Sequence, residues 1–218
     1  MAAPRPPTAA ELAGNSVPIF VRAHSRRNVL TGHLARWKVG ICPFVAGLSP
    51  AFDAFVVARI RAIATAVGAP TQPYGKCSGN VFIAFTTQPQ RFLDVIAKRA
   101  PNLLGFHYPD QTRALATMTR AIQSWYATST LGCRGDEMLD VSHYWPGGIP
   151  GACLGSRLGN GQRTLIDVVL IIVDLRKVLG DEIGMISDYL AALSLTQAQT
   201  DRCGNLPSIL DLLARDCP

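Results

Sequence analysis

Thr164-Leu-Ile-Asp-Val-Val-Leu-Ile-Ile-Val-Asp174 is the stretch on which the fold turns. Val and Ile crowd it, and such β-branched side chains suit the pleated backbone of a strand. Its apolar residues run on instead of alternating, which is the pattern of a central strand covered on both faces. Arg163 and Asp174 bound the run and Asp167 interrupts it, so it falls far short of the roughly 20 apolar residues that span a bilayer.

A strand buried on both faces requires partners and helical cover, and the flanking sequence offers both. Downstream, Asp181 stands as N-cap to a long helix that directs Ile183, Ile186, Tyr189, Leu190, Leu193 and Leu195 toward the core. A short terminal helix follows from Ser208, after Pro207. Upstream, Leu34 to Leu48 is apolar and β-prone, with Trp37, Val39, Ile41, Phe44 and Val45 available for a strand interrupted or ended near Pro43. Ser49 then caps a helix with Pro50 at its first position, and Phe52, Phe55, Val56, Ile60, Ile63 and Val67 recur at helical spacing until Gly68 and Pro70 stop it.

Asn80-Val-Phe-Ile-Ala-Phe-Thr reads as a short buried strand, and Thr87 with Gln90 forms a capping-box pattern for a helix ending near Arg99. Leu115, Met118, Ile122 and Trp125, spaced by three and four, predict a further helix from about Asp110. Ser129 to Gln162 is rich in Gly and long for a loop, so short strands are expected near Met138 to His143 and near Leu154. The expected fold is of the α/β or α+β class: a single mixed sheet covered by amphipathic helices and stabilised by disulfides.

Of the 218 residues, 48% are hydrophobic and 17% charged, enough for one core, so a single domain is expected over residues 17–218. Residues 1–16, rich in Ala and Pro, are expected to form a flexible tail. The net charge is +6, and the densest basic stretch is Arg22, His24, Arg26, Arg27, His33, Arg36 and Lys38. Without interleaved aromatics it reads first as a solvated face, and nucleic acid is not an expected partner; binding of an acidic polymer by this stretch is a third, lesser expectation.

Six cysteines, Cys42, Cys77, Cys133, Cys153, Cys203 and Cys217, are widely spaced with no Cys-x-x-Cys pair. That pattern fits a disulfide framework better than a metal site or dithiol centre, and therefore an oxidising compartment. Met1-Ala-Ala-Pro-Arg-Pro-Pro lacks the apolar core of a secretory signal, so a periplasmic or secreted location supposes a signal peptide already removed. Six cysteines permit 15 pairings. A helical crossover from the first strand to the second would make those strands parallel, setting Cys42, late in the first, far from Cys77. Pairing of these two then requires the first strand to end near Cys42. Cys133 and Cys153, which bracket the Gly-rich stretch, are a pairing of particular interest.

No complete catalytic constellation emerges. Gly75-Lys-Cys-Ser-Gly79 and Gly151-Ala-Cys-Leu-Gly155 look like nucleophile elbows with Cys for Ser, but neither lies between a strand and a helix. His107, His143, Cys133 and Cys153 offer zinc-ligating chemistry at the wrong spacing. Asp136, Glu137 and Asp140 cluster as the paired carboxylates of a glycosidase do, yet read first as a solvated acidic turn. Asp181-Glu-Ile-Gly-Met185 bears a faint resemblance to a degenerate zincin helix in which only the Glu matches. Gly155, Gly159 and Gly161 lack the Lys of a phosphate loop.

Arg36-Trp37, Ile41-Cys42-Pro43, the Asn80-Val-Phe-Ile strand and Ser187-Asp-Tyr-Leu-Ala191 together give the chain, from about Ala35 to Leu213, a resemblance to a group of uncharacterised exported proteobacterial proteins. The resemblance implies an envelope or secreted location and no particular activity. The leading expectation is thus an exported, disulfide-stabilised domain binding a protein or cell-envelope component, with no cofactor, no metal and no assigned catalytic residue. The competing expectation is a hydrolase, a peptidase-like relative with an altered or lost metal site.

Overall fold

The computed structural model describes residues 21, 24–28, 32–73, 75–105, 109–140 and 161–198. Among them, one mixed sheet contains β1 (Arg36–Trp37), β2 (Pro43–Ala46), β3 (Val81–Thr86), β4 (Ile122–Leu131), β5 (Glu137–Leu139) and β6 (Arg163–Asp174). The helices are α1 (Pro50–Ala66), α2 (Pro89–Arg99), α3 (Pro109–Leu115), α4 (Leu175–Val178) and α5 (Ile183–Leu195), with a 3-10 turn at Pro101–Leu104.

The Val- and Ile-rich stretch is the middle of the sheet, in the order β2-β3-β6-β4-β5, with β1 also paired to β6. β1 and β3 both run parallel to β6, β2 runs parallel to β3, and β4 is antiparallel to both β6 and β5. Since β4 occupies one flank of β6 along nearly its whole length, β1 and β3 follow one another along the other flank.

Alternation along β6 explains its unbroken hydrophobicity. Val169, Ile171 and Val173 enter the core shared with Val56 and Ile60 of α1 and Ile186, Leu190 and Leu193 of α5. Leu170 and Ile172 face the other way, into a second cluster with Leu93 of α2, Leu104 and Trp125. Each such side chain, removed from water, contributes about 1.5–3 kcal/mol of transfer free energy. The result is a layered α+β fold with helices on both faces. Arg59 of α1 joins Asp188 of α5 by paired contacts of 2.5 and 2.9 Å.

Several sequence-based expectations need correction. The interruption expected near Pro43 lies just before it and separates two strands with different partners: β1 ends at Trp37 and pairs with β6, whereas β2 begins at Pro43 and pairs with β3. Pro43 opens β2, a position that tolerates a missing N–H. The helix expected from Asp110 through Trp125 stops at Leu115, and Ile122 to Leu131 is β4. Its Trp, Tyr and Thr side chains favour a strand, and full pairing with β6 overrides an accidental spacing of three and four. Trp125 still reaches the short helix, donating its indole N–H to Leu115 O at 3.1 Å.

The helices begin close to the expected positions, but their capping chemistry differs. Ser49 is the N-cap of α1 without a side-chain bond, and Asp53 instead reaches back to accept from Leu48 N. Gln88, not Thr87, precedes α2. Glu182, not Asp181, precedes α5, while Asp174 caps α4 by accepting from Arg176 N. On α1 the buried stripe is Val56, Ile60 and Ala64, and Phe52, Phe55 and Val67 are exposed. A glycine is required at position 47, where φ is 108° and a Cβ would stand 2.0 Å from Phe85 O.

The strand break also settles one disulfide. Cys42 immediately precedes β2 and Cys77 lies four residues before β3, so both sit at the amino ends of neighbouring parallel strands and are bonded to each other. Asn80 locks this corner: its side chain accepts from Cys42 N at 2.7 Å and donates to Gly40 O at 3.1 Å. Asn80 is buried, so Asn80→Ala strands both a donor and an acceptor and is expected to cost about 2 kcal/mol. Urea denaturation checks this; a change below about 0.5 kcal/mol would contradict it. The expected tail at 1–16, the strand near Leu154 and the helix from Ser208 lie outside the described residues.

Candidate anion-binding cleft

Register places a polar patch at the entry end of β6. Arg36, Leu165, Ser129 and Leu139 are successive partners across the sheet and share one face. One step along, Arg163, Leu131 and Glu137 form a second row on that face. Among the described residues, helices α2 and α3 and the 3-10 turn pack near Leu170, Ile172 and Trp125, at the other end of the sheet. The second face therefore carries an apolar, helix-covered half and a polar half.

A cleft of about 940 Å³ opens here, lined by Arg27, His33, Arg36, Lys38, Glu137, Gln162 and Arg163 among others. Four cationic side chains, Arg27, Arg36, Lys38 and Arg163, face one carboxylate, Glu137. Lys38 lies 2.6 Å from both Glu137 oxygens and 3.9 Å from Asp167 Oδ1. Ser129 donates to Glu137 Oε1 at 2.9 Å. The hydrogen bond from Lys38 holds the Glu137 carboxyl below the usual range, and the same bond raises Lys38. Burial pushes Asp167 up. Among the described residues, Arg27, Arg36 and Arg163 have no carboxylate partner, and all three are exposed.

The cleft draws on the basic stretch singled out from the sequence, though not on all of it. Arg27, His33, Arg36 and Lys38 line it, His24 is buried elsewhere, Arg26 is exposed, and Arg22 lies outside the described residues. In the sequence, Arg163 reads only as a boundary and Asp167 only as an interruption of an apolar run. Both were signals: a charge inside or at the rim of a central strand has to reach either solvent or a polar site.

Other candidates find structural duties. Cys77 is bonded to Cys42, and a disulfide sulfur cannot act as a nucleophile. Cys133 is also disulfide-bonded, and among the described residues no cysteine is free. Cys153, Cys203, Cys217, His107 and His143 lie outside the described residues, as does the second Gly-x-Cys-x-Gly motif. Asp140 accepts from Thr130 at 2.6 Å and from Asn28 at 2.7 Å, tying β4 to the N-terminal segment. Glu137 is bound to Lys38 and Ser129 while Asp136 and Glu137 remain exposed, so the acidic turn faces solvent as expected and is hydrogen-bonded as well. Helix α5 starts only at Ile183, which removes Asp181 and Glu182 from the helix that a His-Glu-x-x-His zinc site needs. Among the described residues, no group of three His, Cys, Asp or Glu side chains is arranged to hold a metal, and no helix is long and apolar enough to cross a membrane.

Comparison with known proteins finds no matching family, no similar curated protein and no similar solved structure. The chain's own residues carry the functional reading.

Proposed function

We propose that this protein is an exported, disulfide-stapled binding domain that holds an acidic cell-envelope polymer in the cleft at the entry end of β6. The carrying observation is the excess of cationic side chains there, four against Glu137 in the wall and Asp167 at 3.9 Å from Lys38, three of the four without a carboxylate partner among the described residues. Guanidinium groups suit this role, because their planar donors meet carboxylate, sulfate or phosphate oxygens two at a time. The bonded cysteines support an oxidising compartment. An extended polymer fits an open cleft better than a small enclosed ligand does, since it can run past the rim while its charges meet Arg36 and Arg163 on adjacent rows.

Dextran sulfate tests the binding, with neutral dextran as control. The protein should bind the sulfated polymer alone, losing affinity by roughly tenfold or more between about 50 and 200 mM salt. Arg36→Glu/Arg163→Glu should weaken binding and lower the slope of log affinity against log salt by about two, one for each lost contact. Binding that ignores salt, or that this double variant leaves unchanged, contradicts the proposal. DNA held far more tightly than a polysaccharide of equal charge would point instead to a nucleic-acid site.

A further inference from the structure

We infer that Asp167 is a built-in counter-charge that makes the cleft's hold on anions depend on pH, weak near neutrality and stronger as its carboxyl takes up a proton; this rests on the anion-binding reading above. The first observation is backbone geometry. Along the β4–β6 ladder Ala127 pairs with Val168 and Thr128 with Ile166, so Asp167 is an extra residue in a β-bulge. Bulges re-aim a side chain that regular pairing would fix, and are common beside functional sites. Without this bulge, Ile166 and Val169 could not both enter the same core, as they do.

The second observation is how the Asp167 carboxylate is left. Its side chain is 18% exposed, Oδ1 is 3.9 Å from Lys38 Nζ, and Oδ2 is buried with no hydrogen-bond partner among the described residues. The groups that face it are Lys38, beyond β1, Ser129 of β4, Glu137 of β5, and Asp140 beyond β5. Only one of them is cationic, and Glu137 already takes both of its contacts at 2.6 Å. Two carboxylates thus compete for one ammonium, and the one with the shorter contacts keeps it.

The order of protonation follows. Glu137 is held below the ordinary carboxylate range by the Lys38 hydrogen bond, whereas burial raises Asp167 above it. As pH falls toward that range, Asp167 is neutralised first and Glu137 last. Neutral Asp167 gains a hydroxyl donor and removes one negative charge from beside Lys38 of the cleft wall. Lys38 then answers to one carboxylate rather than two, and an incoming anion meets less repulsion.

The experiment compares wild type with Asp167→Asn on dextran sulfate, whose sulfate esters stay charged throughout, along a titration from about pH 7.5 down to about pH 4 with salt constant. Wild type should bind about five- to tenfold tighter at the lower end of that range. Asp167→Asn should bind throughout as wild type does at the lower end. An Asp167→Asn variant that keeps the full pH dependence overturns the inference, and loss of that dependence in His33→Gln would assign it to the imidazole in the cleft wall. Thermal melting provides a readout without ligand. A carboxyl raised in the folded state costs stability once ionised, so Asp167→Asn should melt above wild type at neutrality, with the gap closing as pH falls. A gap that does not change with pH overturns the inference and leaves the binding reading standing; absence of binding at any pH in that range, with the gap behaving as expected, overturns the binding reading instead.

Discussion

Replacing Ile171 with alanine is expected to remove about 4 kcal/mol of folding free energy. Ile171 is fully buried in the carboxyl-terminal half of β6, pairs with Ile83 and Ser124 on its two flanks, and packs in the core between the sheet and helices α1 and α5. Truncation forfeits the transfer free energy of its methyl and methylene groups and leaves a void that two paired neighbours keep from collapsing. Against a total stability on the order of 5–15 kcal/mol, that is a large share. Leu139→Ala on the edge strand β5, where the side chain is 51% exposed, should change stability by no more than about 0.5 kcal/mol. Urea denaturation of both variants gives the comparison; a loss below about 1 kcal/mol at Ile171 would mean that β6 is not the central strand.

The Cys42–Cys77 crosslink carries an effect of similar size. It closes a loop with a sequence separation of 35, which includes all of α1. Constraining a loop of that length in the unfolded chain is worth about 3–4 kcal/mol at room temperature on the chain-entropy account. Cys42→Ala/Cys77→Ala should lose about that much, and reduction of the native protein should lose a similar amount without any mutation. Retention of full stability in both cases would show that the corner is held by Asn80 and strand pairing alone. A thiol titration of the denatured, unreduced protein should find no more than two reactive thiols of the six, because Cys42 and Cys77 are bonded to each other and the disulfide of Cys133 takes a fourth cysteine. Five or six would contradict the framework altogether.

The sheet's centre was legible because β6 advertises itself through composition: no helix needs so many β-branched residues in a row. The α1 boundaries were legible for a similar reason, since Ser49, Pro50 and Gly68 act locally and need no tertiary partner. β4 was not legible. Leu115, Met118, Ile122 and Trp125 satisfy a helical spacing by coincidence, and only pairing with β6, distant in sequence, selects the strand. The disulfide was hidden by a misplaced boundary of a few residues. Reading residues 34–48 as one strand put Cys42 at its carboxyl end, whereas the break before Pro43 returns it to the amino end beside Cys77.

The cleft was half visible. Its basic wall lies in one contiguous stretch that any charge count finds, yet a charge count cannot tell a solvated face from a binding face. What distinguishes Arg36 and Lys38 from Arg26 is their place beside β6, opposite Arg163 and Glu137, and that depends on the two-residue strand β1. Glu137 and Asp140 read as a solvated acidic turn because their partners, Lys38 and Asn28, are about a hundred residues away in the chain. Asp167 looked like a flaw in an apolar strand. It is the extra residue of a bulge, and its carboxylate stands 3.9 Å from Lys38 of the cleft wall.

Titration of dextran sulfate into the folded protein, followed by backbone amide NMR shifts, tests the central claim most directly. The account predicts that the largest shifts fall on Arg27, Arg36, Lys38, Glu137 and Arg163, with α1 and α5 little changed. Shifts centred on the α1 and α5 face, or no shifts at low salt, would contradict it.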